Sequence, residues 1–352
     1  MQQNFMQLAI DQATKGKNQT YKNPLVGAVI VKNNKIISTG AHLKYGDPHA
    51  EVNAIKNCTS SEELFNSTLY VTLEPCNHFG KQPPCTQAII QSGIKKVIIG
   101  QLDPNPLVAG SGKQYLENNG IEVEVITESE QVKHLNKFYN YFFEHGRPYI
   151  TLKQAQTLDG KVSIDSKTRT SITEDKAKRQ VEKERGEYQA ILVGSQTVLA
   201  DNPTLFTSLD IDHPPIRIVL DRRGRLFSHQ QLTLFSSMSA PVWIFTEKTV
   251  EQSLPKHVRV FTYKIFTLDV LMTTLWEAGI QSVYVEGGPK IHDAFLESDY
   301  WEDVITYLAP KLIGGTSLAA FSSARLPEKI VELHDLEIDR LDDTLRIKGV
   351  KS

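Results

Sequence analysis

The chain has 352 residues, of which 40% are hydrophobic and 23% are charged, and these fractions are typical of folded globular proteins. At about 150 residues per domain, this length predicts two domains and excludes a miniprotein that depends on disulfides. The 39 Lys and Arg against 41 Asp and Glu give a net charge of −2, without the basic excess that a nucleic-acid partner would require.

Strands and helices alternate along the first half of the chain. The predicted strands cover 26–31, 35–38, 69–73, 96–99 and 121–126, and the predicted helices cover 5–13, 49–56, 86–91, 115–118 and 130–143. Such alternation predicts an α/β fold with helices on the faces of a sheet. In such folds, functional residues gather where strands end and helices begin.

A Gly-Arg-Pro sequence at 146–148 interrupts this pattern, so we place a domain boundary there and expect domains at 1–146 and 147–352. The second half is again α/β. Its predicted strands cover 149–153, 190–193, 216–220, 242–245 and 282–285, and its predicted helices cover 175–185, 271–278 and 291–296.

Three residues with metal-binding side chains, His49, Cys76 and Cys85, each directly follow a proline. We predict that each lies at the start of a helix, because proline favours the first helical turn, and Asp47 is a suitable N-cap for the first of these helices. The positive end of a helix dipole favours anions and would help to keep both cysteines as thiolates. The sequence therefore predicts a zinc site.

One His and two Cys leave the fourth position of a tetrahedral zinc site open, which is typical of catalytic zinc. Glu51 could take a proton from a water activated by zinc and deliver it to a leaving amine. The His-x-Glu and Pro-Cys…Cys pattern is the signature of zinc nucleobase deaminases, although eight residues rather than two separate the cysteines here. A closed structural zinc site and two unrelated core cysteines are the alternatives.

Several motifs give the chain a close resemblance to the bifunctional deaminase/reductase family of riboflavin biosynthesis, over almost its whole length. In the first half they are Asn23-Pro24, Val26-Gly27, His49-Ala50-Glu51, the segment from Glu74 to Cys85, and Asp103-Pro104-Asn105-Pro106. In the second half they are Leu158-Asp159-Gly160-Lys161, the segment from Thr197 to Pro203, and Val285-Glu286-Gly287-Gly288. Taken together, these motifs are specific.

The resemblance implies an N-terminal domain with a cytidine-deaminase-like three-layer α/β/α fold and a C-terminal α/β domain like dihydrofolate reductase. In that family the first domain hydrolyses the exocyclic amine of diaminohydroxyphosphoribosylaminopyrimidine with Zn²⁺. The second domain uses NADPH to reduce the ribosyl group to ribityl. The family's residues at matching positions make His49, Cys76 and Cys85 the zinc ligands and Glu51 the catalytic proton carrier.

The resemblance also implies further contacts in both domains. The expected deaminase substrate contacts are Asn23, His42, His78, Lys81, Asp103 and Asn105. The expected reductase substrate contacts are Lys153, Arg169, Arg185, Leu205 and Glu286. The expected NADPH contacts are Ala155, Ser171, Thr197, Asp201, Gly287 and Gly288.

The chain departs from the family pattern at several of these places. Gln82 replaces the usual Thr in the cysteine loop, the Trp expected near Ser171 is missing, and Ser208 stands where an Arg is expected. The absence of this Arg would remove one phosphate contact from the reductase domain. We hypothesise that Arg169 supplies a replacement cation, because a phosphate needs charge.

The expected partner is a small phosphorylated pyrimidine, and we expect the chain to bind neither nucleic acid nor a membrane. We expect a homo-oligomer in the cytoplasm. One alternative keeps the deaminase but limits the second domain to substrate binding, because of the missing Trp and Arg. A nucleic-acid deaminase is disfavoured by the near-neutral charge and the cysteine spacing. A zinc-stabilised binding module without activity would leave Glu51 without a role.

Overall fold

The computed structural model describes residues 2–79, 83–126, 129–165 and 170–352. Residue contacts divide the chain into two compact units, Met1–Gly146 and Arg147–Ser352. None of the helices in the described part of the chain has both the length and the apolar composition needed to span a lipid bilayer.

The described residues of the first unit form five strands and seven α-helices. Its strands are β1 (Gly27–Lys32), β2 (Lys35–Ala41), β3 (Thr68–Val71), β4 (Lys96–Ile99) and β5 (Glu122–Val125). Its helices are α1 (Gln2–Ala13), α2 (Ala50–Lys56), α3 (Ser61–Leu64), α4 (Cys85–Gln91), α5 (Ser111–Asn118), α6 (Glu130–Leu135) and α7 (Lys137–His145), and a single 3-10 turn covers Thr14–Gly16.

These strands form one sheet in the order β2-β1-β3-β4-β5, in which β1 is antiparallel to both neighbours and β3, β4 and β5 are parallel. Apolar residues of α2, α4 and α5 pack on one face of the sheet. Those of α1 and α6 pack on the other face. The unit therefore has three layers, as the resemblance implied.

Small residues place α2 directly against the sheet. Ala50 and Ala54 are fully buried one turn apart on the face of the helix that packs there. A Cβ atom at Gly40 of β2 would overlap the carbonyl oxygen of Ala50 and the amide nitrogen of Ala54. Only glycine permits this approach, which fixes the position of the first turn of α2.

Outside residues 166–169, the second unit has eleven strands and five α-helices. Its strands are β6 (Tyr149–Thr157), β7 (Lys161–Ser163), β8 (Ala190–Gly194), β9 (Ile216–Leu220), β10 (Val242–Thr246), β11 (Val258–Thr262), β12 (Ser282–Val285), β13 (Asp303–Ala309), β14 (Leu318–Ala319), β15 (Leu333–Leu341) and β16 (Thr344–Lys351). Its helices are α8 (Asp175–Arg185), α9 (Ser195–Asp201), α10 (Thr233–Ser236), α11 (Leu268–Glu277) and α12 (Pro289–Ser298), and 3-10 turns cover Arg225–Ser228 and Pro327–Lys329.

Nine of these strands form a mixed sheet in the order β11-β10-β9-β8-β12-β6-β13-β16-β15. The strands from β11 to β13 in that order are parallel, and β16 and β15 are antiparallel to their neighbours. Apolar residues of α11 and α12 cover one face, and α9 packs on the other face. Strands β7 and β14 form a separate antiparallel pair.

Candidate active sites

Three metal-binding side chains converge in the first unit. The imidazole of His49 and the thiols of Cys76 and Cys85 each offer one ligand atom, and these atoms all lie within 4.8 Å of one another. Nδ1 of His49 is 3.5 Å from Sγ of Cys76 and 3.3 Å from Sγ of Cys85. This donor set suits zinc and leaves one tetrahedral position for a substrate or water. The residues present therefore fit the metal.

Two of the three ligands lie at helix starts, and the prediction for the third is wrong. His49 is itself the N-cap of α2, so Asp47 is not, and Cys85 is the first residue of α4. Cys76 instead lies in a loop after β3, where its carbonyl oxygen accepts a hydrogen bond from the amide of Thr86 at 3.3 Å. The Cys76 carbonyl therefore pairs with an amide in the first turn of α4.

Hydrogen bonds within this cluster shift the pKa values of its three side chains. The bond to Cys76 raises the pKa of His49 to about 9. The thiol of Cys85 bonds to the sulfur of Cys76 and lowers the pKa of that residue to about 4, while the same contact and burial raise the pKa of Cys85. The protein's own groups thus already hold one thiolate that can bind a cation.

Glu51 lies in the first turn of α2 with only 3% of its surface exposed. Its Oε2 atom has no hydrogen-bond partner among the described residues. Burial raises the pKa of this carboxyl to about 7, although the charge of His49 opposes the shift. A carboxyl with such a pKa can both accept and release a proton near neutral pH.

Asn23 and His42 lie beside the metal cluster. Nδ2 of Asn23 is 3.1 Å from Nε2 of His42, whose Nδ1 is 3.2 Å from the carbonyl oxygen of Pro48. The ring centroids of His42 and His49 are 5.4 Å apart. Burial lowers the pKa of His42, so its ring favours the neutral form. Both expected substrate contacts are therefore next to the metal ligands.

The expected contacts Asp103 and Asn105 share one loop after β4. The Asp103 carboxylate accepts hydrogen bonds from the Tyr139 hydroxyl and the Asn105 amide, both at 2.9 Å. Burial raises its pKa. His78 lies in the loop that follows Cys76. Lys81 and Gln82 lie outside the described residues.

Glu74 is a buried residue whose role was missed by sequence reasoning. Its carboxylate accepts hydrogen bonds from the backbone amides of Asp103 at 3.2 Å, Gly110 at 2.9 Å and Lys113 at 3.0 Å. It thereby joins the loop of Cys76 to the loop that carries the expected substrate contacts. An acidic residue directly after a buried strand was the available signal, because a buried carboxylate needs donors.

In the second unit, three charged side chains meet at the carboxyl end of β12. Glu286 accepts hydrogen bonds from Nε of Arg185 at 2.5 Å and Nη2 of Arg185 at 3.0 Å, and Nζ of Lys153 lies 3.4 Å from its Oε2. Burial alone would raise the pKa of Glu286, but the charges of Arg185 and Lys153 lower it to about 2. The group is therefore a fixed carboxylate between two cations.

The loop at Leu205 and the glycine pair after β12 adjoin this charged cluster. Leu205 is buried with a φ of 55°, and the next carbonyl oxygen, of Phe206, accepts a hydrogen bond from Arg185 at 3.1 Å. Gly287 and Gly288 connect β12 to α12, and a Cβ atom at Gly288 would meet nothing within 4 Å. This open helix start fits a dinucleotide phosphate.

The remaining expected cofactor contacts are spread over three elements. Ala155 lies in β6 opposite Tyr307 of β13, and Thr197 and Asp201 belong to α9. Ser171 is exposed, and its carbonyl oxygen accepts a hydrogen bond from Lys311 at 3.3 Å. Arg169 lies outside the described residues.

Comparisons with known proteins match both units. The cytidine and deoxycytidylate deaminase zinc-binding region matches residues 1–101, and the RibD C-terminal domain matches residues 148–346. These matches confirm the expected fold class and the expected zinc-binding region.

Relatives cover the whole chain. The riboflavin biosynthesis protein RibD of Bacillus amyloliquefaciens is 42% identical over 361 residues, which cover 99% of this chain and 96% of that protein. The structure of Acinetobacter baumannii RibD, form 1, is similar with a TM-score of 0.91 and 34% identity, covering 100% of this chain and 99% of the other. The Thermotoga maritima diaminohydroxyphosphoribosylaminopyrimidine deaminase/5-amino-6-(5-phosphoribosylamino)uracil reductase has a TM-score of 0.88 and 38% identity, with coverage of 100% and 99%. The chain therefore belongs to the RibD family of riboflavin-biosynthesis proteins.

Proposed function

We propose that this chain catalyses two steps of riboflavin biosynthesis. The first unit hydrolyses the exocyclic amine of diaminohydroxyphosphoribosylaminopyrimidine and releases ammonia. The second unit then reduces the ribosyl group of the deaminated product to ribityl with NADPH. The observation that carries the proposal is the buried Glu51 carboxyl next to the three converging zinc ligands, on a chain whose relatives match both units.

In the deaminase, zinc held by His49, Cys76 and Cys85 supplies the Lewis acidity that makes water nucleophilic near neutral pH. Glu51 accepts the proton of the attacking water and returns it to the leaving amine, because burial gives it a pKa of about 7. The oxygen of the water replaces the amine nitrogen, and ammonia leaves.

Side chains around the metal site would bind the pyrimidine and its phosphate. Asn23, His42, His78, Asp103 and Asn105 present the donors and acceptors that hold the pyrimidine in place. Lys81 would offer a cation to the ribose phosphate.

In the reductase, bound NADPH would supply the hydride for C1′ of the ribosyl group, whose bond to the ring oxygen breaks. Lys153 would face the sugar and give a proton to that oxygen, which becomes a hydroxyl of the ribityl chain, while Glu286 holds the ammonium in place at 3.4 Å. Arg185, Arg169 and the Leu205 loop would hold the substrate, with Arg185 using guanidinium N–H groups not taken by Glu286 and Phe206. The cofactor would contact Ala155, Ser171, Thr197 and Asp201, with its phosphates at Gly287 and Gly288.

Three broader properties complete the proposal. We expect the units 1–146 and 147–352 to be the two catalytic domains and the chain to form a homo-oligomer. We also place the enzyme in the cytoplasm, because cysteines that bind zinc must stay reduced.

The test follows ammonia and NADPH together while the full chain reacts with the diaminopyrimidine phosphate. Glu51→Gln should abolish ammonia release with zinc content unchanged, and supplying the deaminated intermediate should restore NADPH oxidation. Glu63→Gln, on the exposed face of α3, is the matched control and should behave like the wild type. Ammonia release by Glu51→Gln at the wild-type rate would refute the deaminase assignment. Unchanged NADPH absorbance with the supplied intermediate would refute the reductase and favour a second domain that only binds substrate.

A further inference from the structure

A second buried carboxylate lies directly before Arg185 in α8. Glu184 has 4% of its surface exposed. Its Oε2 atom accepts hydrogen bonds from the hydroxyls of Tyr284 at 2.6 Å and Tyr307 at 2.8 Å. Its Oε1 atom accepts one from Nε of Arg346 at 2.6 Å and one from Gln180 at 3.3 Å. None of these residues belongs to the proposed substrate or cofactor contacts.

The partners of Glu184 surround the strand that carries Lys153. Tyr284 belongs to β12 and Tyr307 to β13, and β6 lies between these two strands in the sheet. Tyr284 pairs in register with Thr151 of β6, and Tyr307 pairs with Ala155, so both phenols flank Lys153. One carboxylate from α8 therefore connects the strands on both sides of β6.

Tyr307 also contacts Lys153 itself. Nζ of Lys153 lies 5.6 Å from the centroid of the Tyr307 ring, within the range of a cation–π interaction. Glu286 is on the same ammonium at 3.4 Å, and Lys153 has only 12% of its side chain exposed. The ammonium is thus held by a carboxylate and by an aromatic ring.

The charge of Glu184 keeps its phenol partners as donors. Burial raises the pKa of Tyr307, and the charge of Glu184 raises it further, so the hydroxyl keeps its proton. Two hydroxyls on one oxygen can both be satisfied by a carboxylate but not by an amide nitrogen in the same place. Loss of this acceptor would free the Tyr307 ring from its fixed orientation.

We propose that Glu184 is a positioning residue for the reductase: by holding Tyr284, Tyr307 and Arg346, it fixes the aromatic ring against which the Lys153 ammonium is placed. The proposal rests on the proposed role of Lys153 in the reduction. Glu184 itself does not touch the substrate. It affects the proton transfer because it sets the position of Lys153. Misplacement of a catalytic group lowers the rate of the chemical step more than it weakens substrate binding.

The first measurement separates kcat from KM in the full-length enzyme supplied with the deaminated intermediate and NADPH. Glu184→Gln and Tyr307→Leu should each lower the kcat of the reductase by roughly 10-fold or more, with KM for the substrate changed less than about twofold. Tyr307→Phe keeps the aromatic ring, so its kcat should fall less than that of Tyr307→Leu. Tyr188→Phe is the matched control, since it also removes one buried hydroxyl, which donates to Thr151 at 3.0 Å instead of to Glu184.

The second measurement needs no reductase activity. In the full chain labelled with [ε-¹³C]lysine, the ring current of Tyr307 should displace the Lys153 methylene resonance from those of exposed lysines, and Lys153→Arg identifies that resonance by its absence. Tyr307→Leu should return the resonance to the common position. Glu184→Gln should shift or broaden it, and Tyr188→Phe should leave it unchanged.

The two measurements keep the proposal separate from the function on which it rests. If Glu184→Gln unfolds the second unit, Tyr307→Leu and Tyr307→Phe carry the test. A Lys153 resonance that is the same in wild type, Glu184→Gln and Tyr307→Leu would overturn the positioning role, whatever the activity. A wild type without reductase activity but with the displaced resonance would refute the proposed function and leave the placement of Lys153 intact.

Discussion

Buried carboxylates shape both sites through the hydrogen bonds that they accept, and Glu74 is the clearest case in the first unit. Its three backbone donors come from residues 29, 36 and 39 positions later in the chain. Glu74→Gln would turn an amide nitrogen towards one or more of these N–H groups, and an unpaired buried donor costs about 1–3 kcal/mol. We expect KM of the deaminase to rise roughly 10-fold through displacement of the Asp103 loop.

Zinc analysis and deaminase kinetics check this prediction. Zinc content should stay at one per chain, because the ligands themselves are untouched. Glu117→Gln, at an exposed position of α5 where the carboxylate pairs with Lys113, is the control and should leave KM unchanged. Loss of zinc with an unaltered KM would show that Glu74 supports the metal loop and not the substrate loop.

Single residues were predictable where the chemistry is local in sequence. His49 and Glu51 are two positions apart, and the Pro-Cys pattern marks Cys76 and Cys85 by itself. Glu74 and Glu184 were missed because every partner of Glu74, and all but one of Glu184's, lies far away along the chain. The Arg346 contact of Glu184, for example, spans 162 residues. Neither a local motif nor hydrophobic periodicity can predict a contact between residues so far apart in the sequence.

At the scale of elements, one long helix was predicted at 130–143, and the structure has two. α6 ends at Leu135, and α7 begins at Lys137. The side chain of Asn136 explains the break, since its Oδ1 accepts the amide of Leu25 at 2.7 Å and its Nδ2 donates to the carbonyl of Leu25 at 2.9 Å. The helix is interrupted because this side chain anchors the segment that carries Asn23.

Asn136→Ala should therefore affect both stability and substrate binding. It removes the partners of the partly buried N–H and C=O groups of Leu25, and we expect a loss of about 2 kcal/mol in the free energy of unfolding. KM of the deaminase should rise, because Asn23 is two residues away. Urea denaturation and deaminase kinetics measure the two effects. Asn119→Ala, at an exposed helix end, is the control, and equal effects of both variants would contradict the anchoring role.

Strand β15 was missed by sequence analysis because of its exposure. Between its two terminal residues, β15 (Leu333–Leu341) is exposed along its whole length, so it lacks the alternation of buried and exposed residues that identifies a strand. It is defined instead by its antiparallel pairing with β16. The buried strands β8, β10 and β12 were predicted because their residues form short, almost wholly apolar runs. Strand β9 was predicted although the buried Arg217 interrupts its apolar residues.

At the scale of the whole molecule, each unit has its own hydrophobic clusters, and the unfolding of the second unit can be followed separately. All three tryptophans, Trp243, Trp276 and Trp301, belong to the second unit. Tryptophan fluorescence therefore reports unfolding of the reductase unit without interference from the zinc site.

The stability of the second unit should depend on pH through His292, which is 2% exposed in α12. Burial lowers the pKa of His292 from 6.5 to about 4, and the charge of Lys153 acts in the same direction. The hydrogen bond to Val285 and the charges of Asp293 and Glu286 oppose this shift. The unfolded chain therefore binds a proton at pH values where the folded unit does not. The contribution of His292 to the free energy of unfolding is therefore fully present above pH 6.5 and decreases as the pH falls towards 4.

His292→Gln should remove this part of the pH dependence. The wild type should lose on the order of 3 kcal/mol of unfolding free energy between pH 6.5 and 4 that the variant keeps. Glutamine can still donate to the Val285 carbonyl oxygen, which His292 contacts at 3.3 Å. Urea unfolding at pH 7, 5.5 and 4.5, followed by tryptophan fluorescence, measures the difference, with the exposed His334→Gln as control. Glu286, whose pKa is lowered to about 2, reduces the stability of the unit only below pH 4.5. If the unfolding free energy of wild type and of His292→Gln depends on pH with the same slope above pH 4.5, His292 is not the cause of that dependence.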